Sequence, residues 1–311
     1  MDELTMLATA LRGSEPSQEA ADRSRHRLQN TMRGGPARKR RIGWLAGGLG
    51  LTAATAATAI LVSTTGTAHT AHPNSPPSTA APSTLSARQI LLAAATTAEN
   101  APAASGTYWY VKMEEKESAN DKPTLRERWT RRDGEVWRRD AKTEGEVFHQ
   151  GILPDRPKGR PFDLGVGFVS LQQIQELPTE ADRLKAWLAD TVAHSGIRTG
   201  AGPLTAQMQK EYVFESLYML ISTLPAPPKV RAAAFRAFAA YPNVKVVGKV
   251  ADGEALQFSV LPGDRLRMVI DPKTSQVRET NFLAEGGGGE FFSDGGGVRI
   301  TTAAWTNDLP H

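Results

Sequence analysis

The sequence predicts an α+β fold: a twisted antiparallel sheet interrupted by a helical insert and preceded by one transmembrane helix. Three observations predict it. Residues 42–62 carry no charged side chain, over a length close to the roughly 20 residues that a helix needs to cross a hydrocarbon core. Two later stretches, 107–150 and 244–305, alternate apolar and polar residues with period two, as half-buried strands do. Between them, residues 170–240 repeat their apolar positions at three and four, the helical spacing.

The N-terminal third is ordered by charge. Arg38, Lys39, Arg40 and Arg41 stand directly before the apolar run, and no charged residue follows it until Arg88. The positive-inside rule therefore places residues 1–41 in the cytoplasm as a tail and the rest of the chain outside, so the lipid bilayer is the first expected partner. A cleaved signal peptide is the alternative, with small-residue sites after Thr65, although 41 residues precede the run, far more than a usual signal n-region. Arg40-Arg41 also resembles a twin-arginine export signal, from which Ile42-Gly43-Trp44 departs. A buried soluble helix is the third reading, and the charge step argues against it. In the tail, Leu4, Leu7 and Leu11 share one helical stripe, a candidate docking surface for a cytoplasmic regulator. The plainer reading is a solvated tail that fixes topology. Residues 63–87 are rich in Ser, Thr, Pro and Ala, a linker composition with too little apolar bulk for a core.

Composition narrows the chemistry. The net charge is +4, with nine basic and five acidic residues in the tail, which leaves 28 of each sign in the remainder. The basic pI thus belongs to the membrane-proximal arm, and no nucleic acid is expected as a partner. Cysteine is absent, which excludes disulfides, thiolate metal sites and a cysteine nucleophile.

Residues 88–311 form the expected extracytoplasmic domain. Ser86 caps a helix to about Asn100, with Ile90, Leu91, Ala94 and Ala98 on one side. Strands are expected at Thr107–Lys116, Leu125–Arg132, Glu135–Arg139 and Glu146–Gln150, with Asp133-Gly134 as a type I′ turn. Helices follow at Ser170–Glu176, Glu180–His194 (capped by Thr179), Leu204–Leu224 and Lys229–Ala240. The end returns to strands: Val244–Val250, Ala255–Leu261, Leu266–Asp271, Gln276–Ala284, Phe291–Phe292 and Val298–Trp305, with the glycine-rich stretches as loops.

No catalytic constellation is visible. The six histidines are scattered, with no His-Glu-x-x-His, no Gly-x-Ser-x-Gly and no phosphate-binding loop motif. Gly286–Gly289 precedes a strand rather than a helix, so it reads as a hairpin loop and not a phosphate cradle. No catalytic residue, metal ligand or cofactor is therefore expected, and the chain is not expected to be an enzyme. Trp109, Trp129, Trp137 and Phe148, with Tyr110, are a candidate apolar ligand pocket on the sheet; ordinary sheet-to-helix core is the alternative. The basic loop Arg156–Arg160 is either a solvated loop or a contact for anionic wall polymer or headgroups.

The late strands VADGEALQFSV (Val250–Val260) and RLRMVIDPKTSQVRETNF (Arg265–Phe282), with an Asp-Pro-x-Thr turn between two of them, resemble the LolA-like lipoprotein-carrier superfamily, which includes a periplasmic regulator of an envelope-stress anti-sigma factor. The resemblance implies a half-barrel sheet. Leu171–Leu188, Leu224–Ala240 and the tail, basic cluster and apolar run also resemble a family of actinobacterial single-pass membrane proteins often encoded beside extracytoplasmic-function sigma factors. No activity comes with that family. Together they imply a cell-membrane sensor or regulator linked to sigma-factor signalling. Its tail would meet a cytoplasmic sigma factor or similar regulator, and its outer domain an envelope lipid or protein. The alternative is a tethered lipid or lipoprotein-binding carrier.

Overall fold

A capping box opens the folded body. Ser86 Oγ accepts the Gln89 N–H at 3.2 Å, and Gln89 Oε1 accepts the Ser86 N–H at 2.8 Å. The resulting helix α1 (Ala87–Asn100) buries Ala87, Ile90, Leu91, Ala94, Ala95 and Ala98 on one side. The structure, a computed structural model, describes residues 39–40, 85–152, 157–199, 202–261, 264–285, 288–292 and 295–309. The chain divides into two units, Met1–Arg40 and Arg41–His311, and all labelled elements belong to the second. The 42–62 segment, the linker up to residue 84 and the tail leucines Leu4, Leu7 and Leu11 lie outside the described residues. Among the described residues, no helix is long and apolar enough to cross a membrane.

After α1 come strands β1 (Tyr108–Lys116), β2 (Thr124–Arg131), β3 (Glu135–Arg139) and β4 (Phe148–Ile152). The short pair β5 (Phe162–Asp163) and β6 (Phe168–Val169) leads into helices α2 (Leu171–Gln175) and α3 (Ala181–His194). A second short pair, β7 (Arg198–Thr199) and β8 (Gly202–Pro203), precedes α4 (Ala206–Ser222) and α5 (Pro228–Ala239). The chain closes with β9 (Lys245–Val250), β10 (Gly253–Leu261), β11 (Asp264–Asp271), β12 (Gln276–Thr280), the hairpin β13 (Phe282–Glu285) and β14 (Gly288–Phe291), and β15 (Gly297–Thr306).

Nine strands form one antiparallel sheet in the order β9-β10-β11-β12-β15-β1-β2-β3-β4. The last strand therefore lies beside the first and joins two meanders. Trp305 faces Trp109 in that register, with the rings edge to face at 5.4 Å. The architecture is α+β, with α1 before the first meander and α2–α5 inserted between the two.

Helix α4 is the centre of the core. Its ten residues Val213–Ser222 are all buried, as expected of a helix covered on every side. Phe214, Phe238 and Phe258 meet edge to face at 5.0–5.8 Å, which ties α4 to α5 and to β10. Pro228 sits in the first turn of α5, where its missing N–H costs nothing.

Five local expectations change. The Asp133-Gly134 turn is not type I′: Gly134 has φ 104°, Asp133 is not at positive φ, and the Gly134 N–H donates to Arg131 O at 3.0 Å. This is a three-residue loop closing with glycine, and it sets Trp129 opposite Trp137. Thr179 does not cap α3; Glu180 occupies that position with no side-chain cap bond. The Gln276–Ala284 strand breaks at Asn281, whose Oδ1 accepts the Arg267 N–H at 2.7 Å and whose Nδ2 donates to Arg265 O at 2.9 Å. Those bonds turn the chain out of the sheet into β13, and Gly288 and Gly289 lie in β14 rather than in a loop. Phe291 is paired with Phe282 in that hairpin and does not join the large sheet.

Candidate functional site

Strand alternation decides what faces the helices. Trp109, Thr130 and Val136 stand in one cross-strand row, while Tyr110, Trp129 and Trp137 stand in the next and therefore on the other face. Trp109 belongs to the main core and donates its indole N–H to Thr223 O at 2.7 Å. Trp129 stacks on Tyr110 at 4.8 Å, and Trp137 on His149 at 4.5 Å. Phe148 is on the edge strand, 51% exposed, under the Arg138 guanidinium. The four residues of the expected aromatic pocket are thus not gathered into one pocket.

The outer aromatic row covers a buried acid. Glu127 is only 5% exposed; it accepts the Tyr110 hydroxyl and Arg139 Nη1, the latter at 3.1 Å, with Lys112 Nζ 4.0 Å away. Burial, and then the bond to Glu127, push the Tyr110 hydroxyl well above its ordinary value.

The pocket that does form lies on the helix side of β1–β3. It encloses about 310 Å³. Val111 and Met113 of β1, Met219 and Leu224 at the end of α4, and Leu283 of β13 supply apolar surface. Arg126 and Arg128 of β2 and Arg138 of β3 supply guanidinium groups. The register explains their company: Met113 faces Arg126, Val111 faces Arg128, and Arg128 directly faces Arg138.

The charged groups around it are specific. Arg126 Nη1 bonds Glu115 Oε2 at 2.8 Å, and Arg128 Nε donates to Thr130 Oγ1 at 3.3 Å. Arg138 Nε is buried with no hydrogen-bond acceptor; Asp140 Oδ2 stands 4.0 Å off. Asp140 Oδ1 instead caps a short 3-10 turn, accepting Lys142 N–H at 2.8 Å and Thr143 N–H at 3.2 Å. Asp163 Oδ1 accepts the Gly165 N–H at 2.8 Å. Tyr218 donates to Phe282 O at 3.2 Å, and burial raises its hydroxyl far above the usual range. The lining thus combines three guanidinium groups, the carboxylates Glu127, Asp140 and Asp163, and apolar surface, a combination suited to holding a ligand.

A second, larger cavity of about 510 Å³ lies among the turns around Asp252 and Pro272. It is more open, and both of its arginines are engaged: Arg299 with Asp252, and Arg278 with Asp271 at 3.7 Å. The smaller, better enclosed pocket is the stronger candidate.

Sequence reasoning missed Arg126, Arg128 and Arg138. Their shared parity with Val111 and Met113 was the available signal, but it emerges only when the β2–β3 loop is counted as three residues. His149 lies 3.6 Å from Glu135, and His194 Nδ1 meets Asp190 O at 2.8 Å on the surface. Of the basic loop, Lys158 and Arg160 are described and Arg156 is not; Arg160 N–H donates to Pro157 O at 3.0 Å. Among the described residues, no group of three or more His, Asp or Glu is placed to hold a metal ion. Comparison of the chain with protein-family models, with curated proteins and with solved structures found no match.

Proposed function

We propose that the chain is a membrane-anchored, non-catalytic envelope sensor or regulator linked to sigma-factor signalling. Residues 42–62 anchor it, the α+β domain faces outward as a LolA-like half-barrel, and the tail stripe Leu4, Leu7, Leu11 contacts a cytoplasmic sigma factor or similar regulator. Ligand binding outside shifts a conformational or dimer equilibrium and changes how that stripe is presented.

The observation that carries the reading is the half-enclosed pocket between β1–β3 and the end of α4. Its volume sits near the lower end of small-molecule sites, roughly 300–1,000 Å³. A site of that size suits one small ligand better than a multi-chain lipid. This favours a sensor over the second reading, a tethered lipid or lipoprotein carrier, although the apolar lining keeps that alternative in view.

The test is capture of cytosolic proteins on the full-length protein in nanodiscs, beside a variant whose residues 1–41 are scrambled. Retention of a sigma factor or regulator by the native tail alone is the expected result. Equal retention by both would overturn the coupling. Native mass spectrometry that releases bound acyl lipid from the purified protein would favour the carrier instead.

A further inference from the structure

We infer that the pocket recognises a small amphiphilic anion, with its carboxylate or phosphate group seated at Arg138 and its apolar body on Met113, Met219, Leu224 and Leu283. The inference rests on reading this pocket as a ligand site. Three observations carry it.

The first is the unmet donor. Buried polar groups nearly always find a partner, and Arg138 Nε lies buried beside the cavity without one. A guanidinium offers its donors as a planar fork, the shape that matches a carboxylate or phosphate. Nε itself is closed off, but the Arg138 side chain is 32% exposed and lines the cavity, so the accessible part of its guanidinium is what an acceptor on a ligand would meet.

The second is the placement of like charges. Arg128 and Arg138 are directly opposed across β2 and β3, a like-charge pair whose repulsion Asp140 Oδ2, 4.0 Å from Arg138 Nε, offsets in part. Both line the same cavity, and Arg126 lines it too. A bound anion converts that repulsion into a chelating wall.

The third is that the three carboxylates that also line the cavity, Glu127, Asp140 and Asp163, are each held by groups of the protein itself. Glu127 lies on the outer face with Tyr110 and Arg139. Asp140 caps the 3-10 turn through Oδ1 and stands 4.0 Å from Arg138 Nε through Oδ2, Asp163 accepts a backbone N–H, and Glu115 bonds Arg126. The opposite wall is apolar: Met219, Leu224 and Leu283. A ligand charged at one end and apolar at the other satisfies both walls.

The test is titration calorimetry on the full-length protein in nanodiscs, with lipid-only discs as control. The probes are hexyl phosphate, hexanoate, hexanol and inorganic phosphate. Hexyl phosphate or hexanoate should bind at least about tenfold more tightly than hexanol and than inorganic phosphate. Arg138→Gln should weaken the anionic probes by about ten- to hundredfold and leave hexanol unchanged. Arg138→Lys, which keeps the charge but not the fork, should recover only part of the loss. An unchanged melting temperature in Arg138→Lys guards against misreading an unfolded variant.

Equal binding of hexanol and hexanoate, with no effect of Arg138→Gln, would overturn the anion assignment and leave the pocket as an apolar ligand site. Inorganic phosphate binding as tightly as hexyl phosphate would overturn the amphiphile and leave a plain anion site. Binding of none of the four would overturn both the inference and the reading of the pocket beneath it.

Discussion

Trp109 donates its indole N–H to the carbonyl of Thr223, 2.7 Å away and 114 residues later in the chain. The bond fixes the end of α4 to the middle of the sheet, and Thr223 and Leu224 beside it line the pocket. Trp109→Phe keeps most of the apolar surface but leaves a carbonyl without its donor. The expected cost is about 1–3 kcal/mol. Urea unfolding of the two proteins measures it, and an unchanged midpoint would count against the bond.

Phe238 is fully buried, edge to face with Phe214 at 5.0 Å and with Phe258 at 5.5 Å. It joins both central helices to β10. Phe238→Ala should destabilise by about 3–5 kcal/mol, the transfer loss plus the cavity left behind. Phe148→Ala, at the exposed edge, should change stability by no more than about 0.5 kcal/mol.

Gly134 holds φ at 104°, and its loop length decides which face every side chain of β3 occupies. Gly134→Ala forces a side chain into that conformation and should cost about 1–2 kcal/mol. Thermal melting reads the loss. An alanine variant as stable as the parent would mean that the loop relaxes to another geometry.

Burial pushes the Tyr241 hydroxyl up to about 12, and Tyr218 is raised by burial as well. A group whose folded value is raised contributes stability that is fully present below its unfolded value, about 10. That contribution is lost as pH rises from there through about 12. Unfolding free energy should therefore hold level on this account below about pH 10 and fall above it. Tyr241→Phe should fall less steeply in a urea series run across that range. Identical slopes for the two proteins would contradict the assignment.

Some local signals were legible, whereas the Thr179 cap and the Asp133-Gly134 turn, equally local, were misread. Ser86 announces α1, and the apolar positions Leu256, Phe258, Leu266, Met268 and Ile270 announce the late hairpin. Long-range placement was not legible. Counting the Asp133-Gly134 loop as two residues rather than three would set Trp129 against Arg138, on the face opposite Trp137. The same single residue governs whether Arg128 and Arg138 meet, so the candidate site and the sheet register were hidden together. The Asn281 break rests on side-chain bonds to Arg265 and Arg267, which local propensity does not record.

The absence of cysteine makes the arrangement across the membrane directly measurable with single-cysteine variants. Lys142 is exposed on the sheet end of the α+β domain, and Ala8 lies in the tail. In intact cells, a membrane-impermeant maleimide should label Lys142→Cys at once and Ala8→Cys only after permeabilisation. Labelling of Ala8→Cys from outside, or protection of Lys142→Cys until the cells are opened, would contradict an anchored sensor with its pocket facing outward.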